Sequence, residues 1–249
     1  MGEESIGHRG SYGRCIEGDS ASEPEHTPMH FLSKIVDAAE DFRLGIRAGG
    51  TAKTNKPGAI RYATIRHDLI RDVLDRLSLL SDDEFVDIGC GKGRMLAIAA
   101  RYPVGSILGI EYEPAHAAVA KSNVSRQAHP RLGVWQGAAE DFDYSKITVA
   151  YAFDPTDPDV MDVILTKIDR DRMNIQPGTR RSFRMAYVME NAAQLAIFAR
   201  HSGFERYDGF TNSAGPRRQL VPVLRVAHRA RKQHRKLPAL RLFVVYRAS

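Results

Sequence analysis

The chain has 249 residues, 43% hydrophobic and 27% charged, which is long enough for a sizeable core and argues against wholesale disorder. No run approaches 18 apolar residues and the first residues lack an apolar signal core, so neither a membrane span nor a secretory signal is expected. Two cysteines, Cys15 and Cys90, exclude a disulfide framework and a Cys-rich zinc site and point to a reducing, cytoplasmic compartment. The net charge of +6 is uneven. Residues 200–249 hold 12 Lys and Arg against two acids, net +10, which leaves residues 1–199 at −4.

Residues 1–27 are rich in Gly, Ser, Glu and His without an apolar period and read as a disordered leader. Thr27-Pro28 opens a helix in which Phe31, Ile35, Ala38, Ala39 and Phe42 recur at helical spacing, and Gly45 can end it. Residues 48–60 form a loop. Thr64 can cap a second helix with Ile65, Leu69, Val73, Leu77 and Leu80 on one face and a solvated charged face opposite (Arg66, Asp68, Arg71, Asp72, Asp75, Arg76).

The period then changes. Strands are expected at 84–89, 106–111, 132–136, 147–153 and 183–189, with helices at 93–101, 114–127, 158–169 and 192–201. In the 158–169 helix, Val160, Val163, Ile164 and Ile168 line one side, and Asp157 caps it. Strand–helix alternation implies βαβ units, and hence a Rossmann-like, doubly wound α/β sheet with helices on both faces. The last two strands, 203–210 and 240–246, lack a clear helix between them, so an antiparallel C-terminal edge pair is expected on a mostly parallel sheet.

The chemistry concentrates in Phe85-Val86-Asp87-Ile88-Gly89-Cys90-Gly91-Lys92-Gly93-Arg94. Three alternating glycines lie between an apolar strand and a helix, where a ligand can rest against the main chain. An acid stands two residues before the first glycine. That is hard to reconcile with a phosphate and suits an ammonium or sulfonium. Eighteen residues after Gly93, Glu111 ends the second strand, where a carboxylate can accept from both hydroxyls of a ribose.

Residues 84–125 resemble motifs I and II of the class I S-adenosylmethionine-dependent methyltransferases. FVDIGCGKGR followed by GIEYEP more narrowly resembles a bacterial group of these enzymes and the core of the non-SET histone lysine methyltransferases. The resemblance covers residues 60–155 well and the rest by topology. It implies S-adenosyl-L-methionine as cofactor, with Asp87 toward its amino group. Gly89, Gly91 and Gly93 form the floor, with Cys90 among them. Glu111 lies at the ribose and Tyr112 beside the adenine. The family's usual acid after the third strand is Ala138 here, so Glu140 or Asp141, or the backbone at Ala139, is expected to replace it. Asp154, ending the fourth strand, falls where the family faces the transferable methyl. Asp154-Pro155 lacks the second Pro and the aromatic of enzymes that methylate nucleobase amines. Tyr62 falls where related proteins close a tyrosine over the cofactor.

Structural alternatives stay open: Asp87 as a turn cap, Glu111 as a surface acid, Asp154 as a helix cap, Tyr62 as a boundary aromatic. The expected division is a leader over 1–27, a helical cap over 28–80 and a methyltransferase domain over 81–249. The basic stretch 217–236 is an insertion in that domain. It reads as a nucleic-acid surface, a site for an acidic partner, or a solvated segment. It has no aromatic for base stacking. No metal site is expected, and His201, His228 and His234 read as surface residues. The function expected is N-methylation of an amine on a protein or small molecule. The alternatives are an RNA methyltransferase and a catalytically silent binding module.

Overall fold

The computed structural model describes residues 28–50, 65–153, 155–176, 181–189, 195–198, 200–201, 204–207 and 242–248. Its strands are β1 (Glu84–Ile88), β2 (Ser106–Glu111), β3 (Leu132–Gln136), β4 (Val149–Phe153), β5 (Phe183–Met189), β6 (Phe204–Tyr207) and β7 (Leu242–Ala248). They form one sheet in the order β3-β2-β1-β4-β5-β7-β6. The neighbours from β3 to β5 are parallel. β7 runs antiparallel to both β5 and β6.

Central strand β1 is apolar on both faces because both are covered. Phe85 enters a cluster with Ile70, Val73, Leu74, Leu96, Ile98, Ala120 and Val124. Val86 and Ile88 enter the opposite cluster, with Met161, Ile164, Leu165, Ile168 and Phe198. The first cluster belongs to helices α2 (His67–Leu77), α3 (Arg94–Ala99) and α4 (Pro114–Val124), the second to α5 (Pro158–Met173) and the single turn α6 (Leu195–Phe198). The sheet is therefore Rossmann-like, with helices on both faces.

Helix faces depart from their sequence periods in three places. Helix α1 (Pro28–Arg43) ends ahead of Gly45, whose φ is +67°. Its apolar stripe does not meet the core: Ile35 and Phe42 are exposed, Phe42 by 85%. Its acids turn inward instead, because His67, Arg71 and Arg94 lie on the body side and bond to Asp41 and Glu40. Helix α2 buries His67, Ile70, Val73, Leu74 and Leu77; of the expected face, Val73 and Leu77 are buried, with Ile65 just ahead of the helix, and Leu69 is partly buried. It stops at Ser78 in the left-handed region (φ 47°), which leaves Leu80 beyond its end and exposed. Thr64 lies outside the described residues. The charged face of α2 is partly engaged, since Arg71 pairs with Glu40 and Asp75 accepts from the Tyr102 hydroxyl at 2.9 Å. Asp157 does cap α5, accepting from Val160 N at 3.2 Å. That helix buries Met161, Ile164, Leu165 and Ile168 and leaves Val163 exposed.

One histidine also departs from expectation. His201 is not a surface group: its imidazole lies 3.1 Å from Asp162 and 3.3 Å from Asp169, both on α5. His228 and His234 lie outside the described residues, as do the leader 1–27 and the basic stretch 217–236.

Candidate cofactor site at the carboxyl edge of the sheet

The chain runs from β1 outward to β2 and β3, then crosses back to β4 beside β1. In an open α/β sheet such a reversal leaves a crevice outside the carboxyl ends of the two strands, and ligands settle there. The glycine turn leaves β1 at this crevice. Gly89, Gly91 and Gly93 all have positive φ, +77°, +54° and +81°. A Cβ on Gly89 would come within 2.9 Å of Pro155, the residue that faces it across the crevice.

Glycine reaches the left-handed region without a Cβ clash but leaves a floppy turn unless neighbours hold it. Here nearly every peptide of the turn is held. Gly89 N and Cys90 N both donate to Ile110 O, at 3.0 and 2.9 Å, and Gly93 N donates to Cys90 O at 2.8 Å. Gly91 N donates to Glu111 Oε2 at 2.8 Å. Asn123 of α4 donates to Lys92 O at 2.8 Å, and the Lys92 ammonium donates to Gly49 O at 2.9 Å. The turn is a preorganised cradle.

Two carboxylates stand in it. Asp87 is 2% exposed, and no described residue donates a hydrogen bond to its side chain. Burial, reinforced by the charge of Glu111, pushes its carboxyl well above the usual range. Glu111, also buried, is pushed up by desolvation, while the N–H groups of Glu113 and Gly91 pull the other way. Its second oxygen accepts from Glu113 N at 2.8 Å. Burying a carboxylate is costly, and a cation beside it would offset that cost.

The fold thus brings together Asp87, Gly89, Gly91, Gly93 and Glu111. Cys90 shares only its backbone with the cradle. Its thiol turns into the core against Gly109, where an added Cβ would lie 2.6 Å from the sulfur. Burial, with the charges of Asp87 and Glu111, pushes that thiol up, so it is not a nucleophile. Tyr112 follows β2 and is exposed. Glu140 and Asp141 lie in a 3₁₀ turn (Ala139–Asp141) just beyond β3, Glu140 half-buried and Asp141 exposed. Asp154 and Tyr62 lie outside the described residues. Among the described residues no group of His, Cys, Asp and Glu could hold a metal ion. Nor is any described helix long and apolar enough to cross a membrane.

Sequence reasoning missed the shell behind the turn: Asp41, His67, Lys92, Arg94 and Asn123. One signal was available. Arg94 opens the helix Arg-Met-Leu-Ala-Ile-Ala, every residue of which is buried, so that arginine needed a buried partner.

The fold is that of a doubly wound α/β protein with a glycine turn and two buried acids at the sheet's reversal, the place where such sheets bind ligands. The methyltransferase-domain family model matches residues 85–170, the stretch from β1 into α5. A protein-lysine N-methyltransferase of Saccharolobus islandicus (strain REY15A) is 26% identical over 123 residues, 49% of this chain and 73% of that protein. These matches support a class I S-adenosylmethionine-dependent methyltransferase with S-adenosyl-L-methionine as its cofactor. Among solved structures, an O-methyltransferase from Thermotoga maritima superposes with a TM-score of 0.51 at 15% identity, covering 76% of this chain and 67% of that one. A tRNA methyltransferase from Aquifex aeolicus gives the same score at 12% identity, over 76% and 71%. Enzymes with such different acceptors resemble the chain equally, so these likenesses show the fold alone.

Proposed function

We propose that the enzyme methylates an amine nitrogen, on a protein or a small molecule. The observation that carries this is the charge of the crevice rim. The residues directly after β2, β3 and β4 (112–113, 137–141 and 155–157) carry Glu113, Glu140, Asp141 and Asp157 and no base, against Lys92 in the turn after β1, whose ammonium donates to Gly49 O. Such a rim attracts a cationic amine and repels a phosphate backbone. The name of the archaeal relative, a protein-lysine N-methyltransferase, supports the same reading.

The residues present fit the cofactor, since the cradle at Gly89 has room only without a Cβ and Asp87 is a buried carboxylate awaiting a cation. Asp87 holds the amino group, Gly89, Gly91, Gly93 and the Cys90 backbone support the chain and ribose, and Glu111 accepts from the ribose hydroxyls. Tyr112 borders the adenine, with Glu140 or Asp141 at its edge. When bound, the cofactor supplies a methyl already activated on a sulfonium. The protein's task is alignment and removal of a proton from an ammonium acceptor. Asp154 fits that role, as amine acceptor and base, and Tyr62 closes the site. In this reading 28–80 is a helical cap and 81–249 the methyltransferase domain, in a cytoplasmic protein.

The test combines labelled S-adenosylmethionine with a lysine-rich peptide, polyamines and RNA. Label on the peptide or polyamine, lost in Asp154→Ala, supports the proposal. Salt-sensitive label on RNA alone, lost when Arg231, Lys232, Arg235 and Lys236 are neutralised, overturns it.

A further inference from the structure

Arg94 follows the last glycine of the cradle and is 6% exposed. Its guanidinium grips Asp41 of α1 with two bonds, Nε to Oδ1 at 2.9 Å and Nη2 to Oδ2 at 2.5 Å. Its remaining Nη1 donates to Ile65 O at 2.9 Å, where the chain enters α2. Asp41 is itself held by His67, whose Nε2 lies 2.7 Å from Oδ1, and His67 N bonds to Asp37 Oδ1 at 3.1 Å. Two positions earlier, Lys92 holds Gly49. Asn123, which holds Lys92 O, also accepts from Arg47 N at 3.0 Å. The residues on either side of Gly93 therefore grip both stretches of chain that flank residues 51–64.

A buried ion pair is seldom retained for stability, because desolvation offsets most of its attraction and an apolar pair would do as well. A forked guanidinium does supply direction: two parallel bonds to one carboxylate fix its plane. Here that plane sets the rotation of the first residue of α3. Gly93 before it is pressed from the other side by Ala120, 3.3 Å from where a Cβ would stand.

We propose that Arg94 is a positioning residue for cofactor binding: through Asp41 it locks α1 against the third glycine and holds the cradle in its binding conformation. The outward turn of α1's apolar stripe follows, since the helix is placed by this polar grip and not by burial. The inference rests on the reading that the cradle holds S-adenosylmethionine.

The test is calorimetry with S-adenosylhomocysteine on the full chain, with folding followed by circular dichroism. Asp41→Asn and Arg94→Gln should each weaken binding roughly tenfold, a usual size for residues acting through others. The double variant should be little worse than either single one. Arg94→Lys, which keeps charge but not the fork, should recover only part of the affinity. Asp83→Asn, at the other end of the sheet, serves as the structural control and should lower Tm with affinity unchanged. Wild-type affinity in folded Asp41→Asn and Arg94→Gln overturns the inference, as does an equal loss in Asp83→Asn. Should Arg94→Gln fail to fold, Asp41→Asn and Arg94→Lys decide. Failure of the wild type to bind would overturn the cofactor assignment instead, so the two failures are distinguishable.

Discussion

Asp83 and Asp87 lie four residues apart at opposite ends of β1, each 2% exposed. Asp83, at the amino end, is saturated. It accepts from Arg184 at 2.5 Å, from Leu80 N at 2.8 Å and from Thr148 Oγ1 at 2.8 Å. Burial pushes its carboxyl up, but these donors outweigh it and the net shift is downward. Asp87, at the carboxyl end, has burial and a neighbouring acid and no described donor, so it shifts upward. The same residue type at the same depth serves opposite ends. The amino end of the sheet is completed by its own side chains, and the carboxyl end is where we propose that a ligand's cation completes Asp87.

That contrast can be broken by exchange of single atoms. The largest effect is expected at Asp83→Asn, which leaves Arg184 with a neutral partner and costs about 3 kcal/mol of stability. Urea denaturation reads this, and S-adenosylhomocysteine affinity should not move. Asp87→Asn should do the reverse. Removing one partner of a buried charge contact costs about 3 kcal/mol of binding, a hundredfold or more, by calorimetry. Its Tm without ligand should hold or rise, because an uncompensated buried charge is gone. Equal losses of stability in both variants would erase the distinction between the two ends. Gly89→Ala comes next. A φ of +77° and the Pro155 contact should cost about 2 kcal/mol in stability or binding, read by the same two methods.

The smallest effect is in pH. Asp83 has a lowered folded-state value, so its contribution is present above the ordinary carboxylate range, near pH 4. It is lost only as pH falls through the lower folded value. Asp41 behaves likewise, because bonds from His67 and Arg94 outweigh its burial. For Asp87 the sign reverses. Its raised value means the ligand-free protein loses stability as pH rises and the carboxyl ionises, and cofactor affinity climbs over the same interval. Affinity followed upward from the ordinary carboxylate range should rise in the wild type and flatten in Asp87→Asn. A rise of equal size in both would remove Asp87 from the cation site.

Much of this was legible in the chain. The five parallel strands follow from short apolar runs that only a sheet covered on both faces can bury. The cradle follows from Asp87, three alternating glycines and a correctly spaced Glu111. Periodicity was a partial guide to the helix faces. In α1 the apolar stripe of Ile35 and Phe42 predicted the wrong side, because Asp41 found Arg94 across 53 residues of chain. In α2 and α5 the buried faces keep Val73, Leu77, Ile164 and Ile168 of the expected stripes and widen them with Ile70, Leu74, Met161 and Leu165.

By itself the sequence determined the chemistry that local spacing can carry: the β1 turn, the acid ending β2, the alternation of strand and helix, and with them the cofactor. The tertiary structure alone decided which charges are satisfied. Asp83 and Asp87 are indistinguishable on one strand until Arg184, Leu80 and Thr148 converge on the first and nothing described converges on the second. Burial is cooperative over distant segments, and a carboxylate's role depends on the donors the fold brings to it.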